Sequence, residues 1–114
     1  MRDYAQPRDG LRAAYALFLP IPFPPAQDFP SVDEWDRLAD VDYELAGWVT
    51  RVLAGERAQR ELYATGSAEV EAIAKVVSGS AVAYCEQMLR LLEAVRPLLS
   101  DAWSAPAMRP ASFG

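Results

Sequence analysis

Residues 68–96 read AEVEAIAKVVSGSAVAYCEQMLRLLEAVR. Val70, Ile73, Val77, Ala81, Tyr84, Met88, Leu92, Val95 and, just beyond, Leu99 follow one another at steps of 3, 4, 4, 3, 4, 4, 3 and 4. Steps that alternate threes and fours keep apolar side chains on one side of an α-helix. An eleven-residue repeat of this kind averages about 3.67 residues per turn, which suits a straight helix or a slightly right-handed packing rather than a heptad coiled coil. The spacing therefore predicts one helix from Ala68 to Arg96, about 43 Å long at 1.5 Å per residue. Its other face is polar, with Glu71 before Lys75 and Glu86 before Arg90 at the supportive i, i+4 spacing. Arg96-Pro97 ends it. The weak point is Ser78-Gly79-Ser80-Ala81, where helix propensity is low; this is either a close approach for a crossing helix or a kink at Gly79.

Working toward the N-terminus, Ser31-Val-Asp-Glu34 has the form of a capping box directly after Pro30. From there Trp35, Leu38, Val41, Leu45, Ala46, Val49, Val52 and Leu53 fall on one broad face at about 100° per residue. Continuing that phase would carry Glu56 and Gln59 onto the apolar stripe, so a break is predicted near Ala54-Gly55. A short polar helix from Glu56 to Ala64, ending at Thr65-Gly66, is expected next. A first short helix is predicted from Asp9, as N-cap, with Leu11, Ala14, Tyr15 and Phe18 on its face and Pro20 as its stop. Between Pro20 and Pro30 five of eleven positions are proline. That segment is expected to run extended and to pack as an apolar strap through Ile21, Phe23 and Phe29, although Pro22 and Pro25 also satisfy the PxxP spacing of a polyproline ligand. No strand-like alternation is present. The fold class is all-α: an antiparallel helical hairpin or small bundle with one long C-terminal helix, a short N-terminal helix and a proline-rich connecting strap.

The 114 residues have room for one domain, expected over 1–103, with a loose tail over 104–114. No apolar run is regular enough to span a bilayer as a helix, and Met1-Arg2-Asp3-Tyr4 does not open a secretory signal, so a cytoplasmic location is expected. Cys85 is the single cysteine and histidine is absent. That removes the usual general base, the commonest transition-metal ligand and the Ser-His and Cys-His nucleophile pairs.

The net charge of −5 is local. Residues 28–44 hold Asp28, Asp33, Glu34, Asp36, Asp40, Asp42 and Glu44 against Arg37 alone, and the rest of the chain sums to about plus one. Around the predicted helix axis Asp33, Asp36, Asp40 and Glu44 lie within about 80° of one another, opposite the apolar stripe. They form a ridge about 16 Å long whose charges stand roughly 5–6 Å apart along the axis, near the spacing of phosphates on a nucleic-acid strand. Acids also belong in the first turns of a helix and on its outer face for reasons of dipole and solvation. Four carboxylates pointing the same way do not enclose a cation, so no metal or cofactor is expected. Asp42 instead projects into the apolar face beside Leu38, Leu45 and Val49. It is expected to meet an arginine or a tyrosine hydroxyl, to sit near the edge of the core, or else to carry a raised pKa. Trp48 sits at the edge of the same face toward the ridge and, of Trp35, Trp48 and Trp103, is the one expected to be exposed and available as an interface anchor.

Two enzyme classes bear comparison. All-α NTP pyrophosphohydrolases carry Glu-x-x-Glu on one helix, and no two glutamates here are three apart. The stretch Arg37-Leu-Ala-Asp-Val-Asp-Tyr-Glu-Leu45, with Arg51, Arg57 and Lys75 beyond, resembles the first helix of small helical chorismate mutases over fewer than twenty residues, without a second motif of that family. That resemblance implies a dianionic substrate clamped by arginines and a lysine; the alternative function class is a small helical enzyme or ligand-binding protein using Asp42 and nearby arginines. Direct nucleic-acid binding is disfavoured because no basic patch exists to neutralise phosphates. The leading expectation is a non-catalytic acidic protein that binds a protein partner with a basic surface through Asp33, Asp36, Asp40, Glu44 and Trp48, as an adaptor, inhibitor or assembly subunit. A sharper form is a phage-type inhibitor that occupies the nucleic-acid-binding surface of a bacterial enzyme or defence complex. Because the predicted long helix outruns its partner by some 10 Å, a dimer covering the surplus apolar surface is also expected.

Overall fold

The computed structural model describes residues 7–99, so Trp103 and the expected tail over 104–114 lie outside the described residues. Four helices succeed one another: α1 (Pro7–Phe18), α2 (Val32–Leu53), α3 (Arg60–Ala74) and α4 (Ser80–Val95). Single 3₁₀ turns occupy Ala26–Asp28 and Arg96–Leu98. Among the described residues there is no strand, only an isolated bridge between Ala58 and Leu99 that ties the α2–α3 connection to the end of α4. None of these helices is long and apolar enough to cross a membrane.

The expected 29-residue helix is two helices. The chain leaves α3 after Ala74 and enters α4 at Ser80, turning through Gly79 at φ +57° and ψ −138°. A residue with a Cβ rarely adopts that conformation. The turn is held from elsewhere in the chain. Asp28 accepts the Ser80 backbone N–H at 2.9 Å and the Ser80 hydroxyl at 2.7 Å, and its own carbonyl accepts the Ser78 N–H at 2.9 Å. Asp28 thus supplies the N-cap that Gly79 lacks. The apolar spacing runs through the turn unbroken because α3 and α4 face the same core. Val70, Ile73, Ala81, Tyr84, Met88, Leu92 and Val95 are all buried in one cluster. Periodicity reports which side is apolar and is blind to a reversal of direction. The overhang that led to the expectation of a dimer is therefore absent, since the whole stripe is covered within one chain apart from half-buried Val77 and Leu99.

α2 does stop at Leu53, where Gly55 turns the chain at φ +114°. The next element is not a short helix ending at Thr65-Gly66: α3 begins at Arg60 and runs straight through both residues. Packing of Val70 and Ile73 outweighs the weak propensity of Thr-Gly-Ser. α1 starts at Pro7, so Asp9 lies in its first turn, paired with Arg12 at 3.1 Å, rather than capping it. Ser31 is the residue before α2, yet its hydroxyl donates to the Glu34 carboxylate and not to the backbone. That bond comes first among the reasons the Glu34 carboxyl sits below its ordinary pKa.

Long-range contacts set the direction of the pairings. Arg37 meets Glu69 across α2 and α3, Tyr63 meets Glu93 across α3 and α4, and Arg8 at the start of α1 meets the end of α2. Each neighbouring pair is antiparallel, giving an up-down-up-down bundle in which α4 packs on both α1 and α3. At the end of the bundle beside the α3–α4 turn, Phe23, Phe29, Trp35, Tyr84 and Phe18 form an aromatic cluster with centroids 5.2–6.5 Å apart. The Trp35 indole N–H donates to the Pro24 carbonyl at 3.1 Å.

Candidate functional site

The seven acids of residues 28–44 divide by what they do. Asp28 caps α4, Glu34 accepts from Ser31, and Asp42 accepts the Tyr84 hydroxyl at 2.7 Å. Asp42 is half-buried, on the side of α2 that faces α4, and a tyrosine hydroxyl is its partner. Burial, followed by this hydrogen bond, pushes the Tyr84 phenol well above its ordinary pKa. The four that remain are Asp33, Asp36, Asp40 and Glu44. All four are exposed, and none forms a hydrogen bond or ion pair with another described residue. Arg37, the one base in the stretch, is turned onto Glu69 of α3 at 2.6 Å, which is the chief reason its pKa is raised. The ridge is thus what is left of the acidic stretch after folding has used the rest.

The ridge leads into an open cleft of about 1020 Å³ along the seam of α2 and α3. Asp40, Tyr43 and Glu44 stand on its α2 side, Leu62, Thr65 and Gly66 on its α3 side, and buried Leu45, Trp48 and Leu92 beneath. Asp33 and Asp36 lie outside it, on the same ridge but toward the start of α2. Small residues line the cleft: Gly66 stands over Leu92, Gly47 lies beside the Arg51 guanidinium, and Ala46 and Thr65 carry short side chains. The Arg37–Glu69 pair stands toward one end, and Arg51, 3.6 Å from Glu56, toward the other. Tyr43 is 82% exposed and Leu62 44%.

Trp48 corrects the sequence reading. It is only 5% exposed, and its indole N–H has no acceptor among the described residues. α3 packs along the edge of α2 that the periodicity left open, so the ring forms part of the cleft's base rather than a surface anchor. Of the exposed large apolar residues, Tyr43 and Leu62 are the two that line the cleft, and the sequence pattern did not single them out. Tyr43 lies next to the ridge in the helical wheel and was legible as an aromatic outside the stripe. Leu62 had no such signal, because its helix was expected to end two residues later. The arginines of the chorismate-mutase comparison do not converge: Arg37 and Arg51 bind Glu69 and Glu56, and Arg57 and Lys75 are exposed. Among the described residues no three His, Cys, Asp or Glu side chains come together as a cation site. Cys85 is fully buried, and burial pushes its thiol up to about 11, away from nucleophilic chemistry at neutral pH.

Fold and surface together define a small four-helix bundle with a free carboxylate ridge and an apolar-based cleft on one seam. No protein-family model, no curated protein and no solved structure matches the chain.

Proposed function

We propose that this is a non-catalytic binding protein whose acidic α2 face docks on a basic surface of a protein partner. One observation carries the reading: of the seven acids in residues 28–44, the four without a hydrogen bond or ion pair share one face of α2, and Arg37, the one base of that stretch, is paired with Glu69 of α3. An acid with an intramolecular role needs no further explanation, as Asp28, Glu34 and Asp42 illustrate. Four carboxylates in a row without a hydrogen bond or ion pair repel one another and set up a local negative field, which raises the rate of encounter with a cationic surface. Their spacing of roughly 5–6 Å along the axis suits a partner whose basic groups are arranged to take a phosphate backbone. That is the form in which an inhibitor of a nucleic-acid-binding protein would work.

Affinity capture with the purified chain, from a lysate of the source cell or its host, tests this. The expected result is a stoichiometric partner retained at low salt, released at high salt, and lost when Asp36 and Asp40 are both replaced by lysine. Asp42→Asn, on the inner side of the same helix, is expected to retain the partner. A partner held equally by the charge-reversed protein, or capture of nothing but the chain itself, would sink the proposal.

A further inference from the structure

The α2–α3 cleft has the shape and lining of a helix-binding groove. Its wall on α2 runs from Arg37 to Arg51, a rise of about 21 Å or four turns. An open cleft of about 1020 Å³ along that length has room to seat one side of a helix about 10 Å across. Grooves between antiparallel helices accept a third helix by interdigitation of side-chain ridges. Gly66, in the middle of the α3 wall, lets an incoming backbone approach closely. The charges along the groove are unequal. Arg37 and Arg51 are neutralised by Glu69 and Glu56, whereas Asp40 and Glu44 have no partner. The groove is therefore apolar at its base, its charged lining of Asp40, Glu44 and Glu69 against Arg37 and Arg51 leaves one negative charge in excess, and Tyr43 and Leu62 project exposed apolar surface at its margins.

We propose that this groove receives an amphipathic helix of about four turns from a partner protein, with its apolar stripe against Leu62, Leu45 and Leu92 and its lysine- or arginine-rich flank along Asp40 and Glu44. The inference rests on the reading of the ridge as the docking face for a basic partner and supplies the element that does the docking. Recognition of this kind is read as anchors at i, i+3 or i+4, and i+7 of the bound helix. The carboxylates outside the groove, Asp33 and Asp36, then serve encounter, and those inside it serve register.

Selection from a random 16-residue peptide library displayed on phage, against the full chain, tests the proposal while the partner itself is still unidentified. The expected winners carry apolar residues at helical spacing with lysine or arginine beside them. As synthetic peptides they become helical on binding, and they weaken about tenfold or more on Leu62→Asp. Tyr43→Asp, at a still more exposed position, serves as a second variant, and Asp40→Lys with Glu44→Lys is expected to abolish binding at low salt. Winners that bind Leu62→Asp and Tyr43→Asp as tightly as the parent, yet fail on Asp33→Lys with Asp36→Lys, overturn the groove and leave the ridge standing. Failure to enrich any peptide, or winners indifferent to all of these changes, overturns both.

Discussion

Asp28 lies three residues before the cap of α2, but its side chain begins another helix fifty residues away. Both oxygens of the carboxylate approach the Cα of Gly79 so closely that a Cβ there would lie 2.8–2.9 Å from them. Gly79→Ala therefore faces two costs, a left-handed φ and displacement of the cap. We expect it to destabilise the fold by about 2 kcal/mol or more, and Asp28→Ala by about 1–2 kcal/mol through loss of the cap. The double variant should be less destabilised than the two single changes added together, because the carboxylate that the new methyl group displaces is already gone. Urea unfolding of the four proteins measures this directly; simple additivity would mean that the two residues do not act as one clasp. Neither role was legible in the sequence. Gly79 was visible as a weak point, but what holds the turn is a residue whose nearness depends on the whole fold.

At the scale of elements, α2 organises the molecule. It carries the ridge outside, the stripe inside and Asp42 on the side facing α4, so one helix serves three environments. Its C-terminus is finished by α1: the Arg8 guanidinium donates to the Val52 carbonyl at 2.9 Å and the Glu56 carbonyl at 3.4 Å. A cation on the last carbonyls of a helix satisfies unpaired acceptors and complements the macrodipole. Arg8→Ala is expected to cost about 1–2 kcal/mol, a fall of several degrees in Tm for a domain of this size. Arg12→Ala, which loses only the exposed pair with Asp9, should change Tm little. Equal effects in thermal melts would show that Arg8 does not anchor α1. The start and end of α2 were readable because Ser31, Pro30 and Gly55 act on neighbouring residues. The docking of Arg8 joins residues 44 apart and has no local signature.

For the whole molecule, the decisive fact is that one cluster of buried side chains draws on all four helices and on Phe29 and Ala58 between them. No helix has a separate core on which to survive alone. Urea unfolding monitored by tryptophan fluorescence and by helical circular dichroism should therefore give coincident two-state transitions. Trp35 reports the aromatic end and Trp48 the α2–α3 seam, so a fluorescence change ahead of the loss of helix would reveal an independently loosening seam. The same architecture accounts for the candidate site. A ridge can be read from the wheel of a single helix, but a cleft requires two helices brought side by side.

The sequence by itself determined the all-α class, the beginning and end of α2, the four-carboxylate face and the need of Asp42 for a hydroxyl or cation. All of these depend on residues within a few turns of one another, where spacing and capping chemistry act directly. Only the tertiary structure decided that the long apolar stripe folds back on itself at Gly79, that Trp48 lies beneath α3, and that Gly47, Gly66 and Leu62 border an open groove. Those outcomes depend on which helix lies beside which. A hydrophobic pattern says that a face must be covered and is silent on what covers it, because burial has magnitude but no direction.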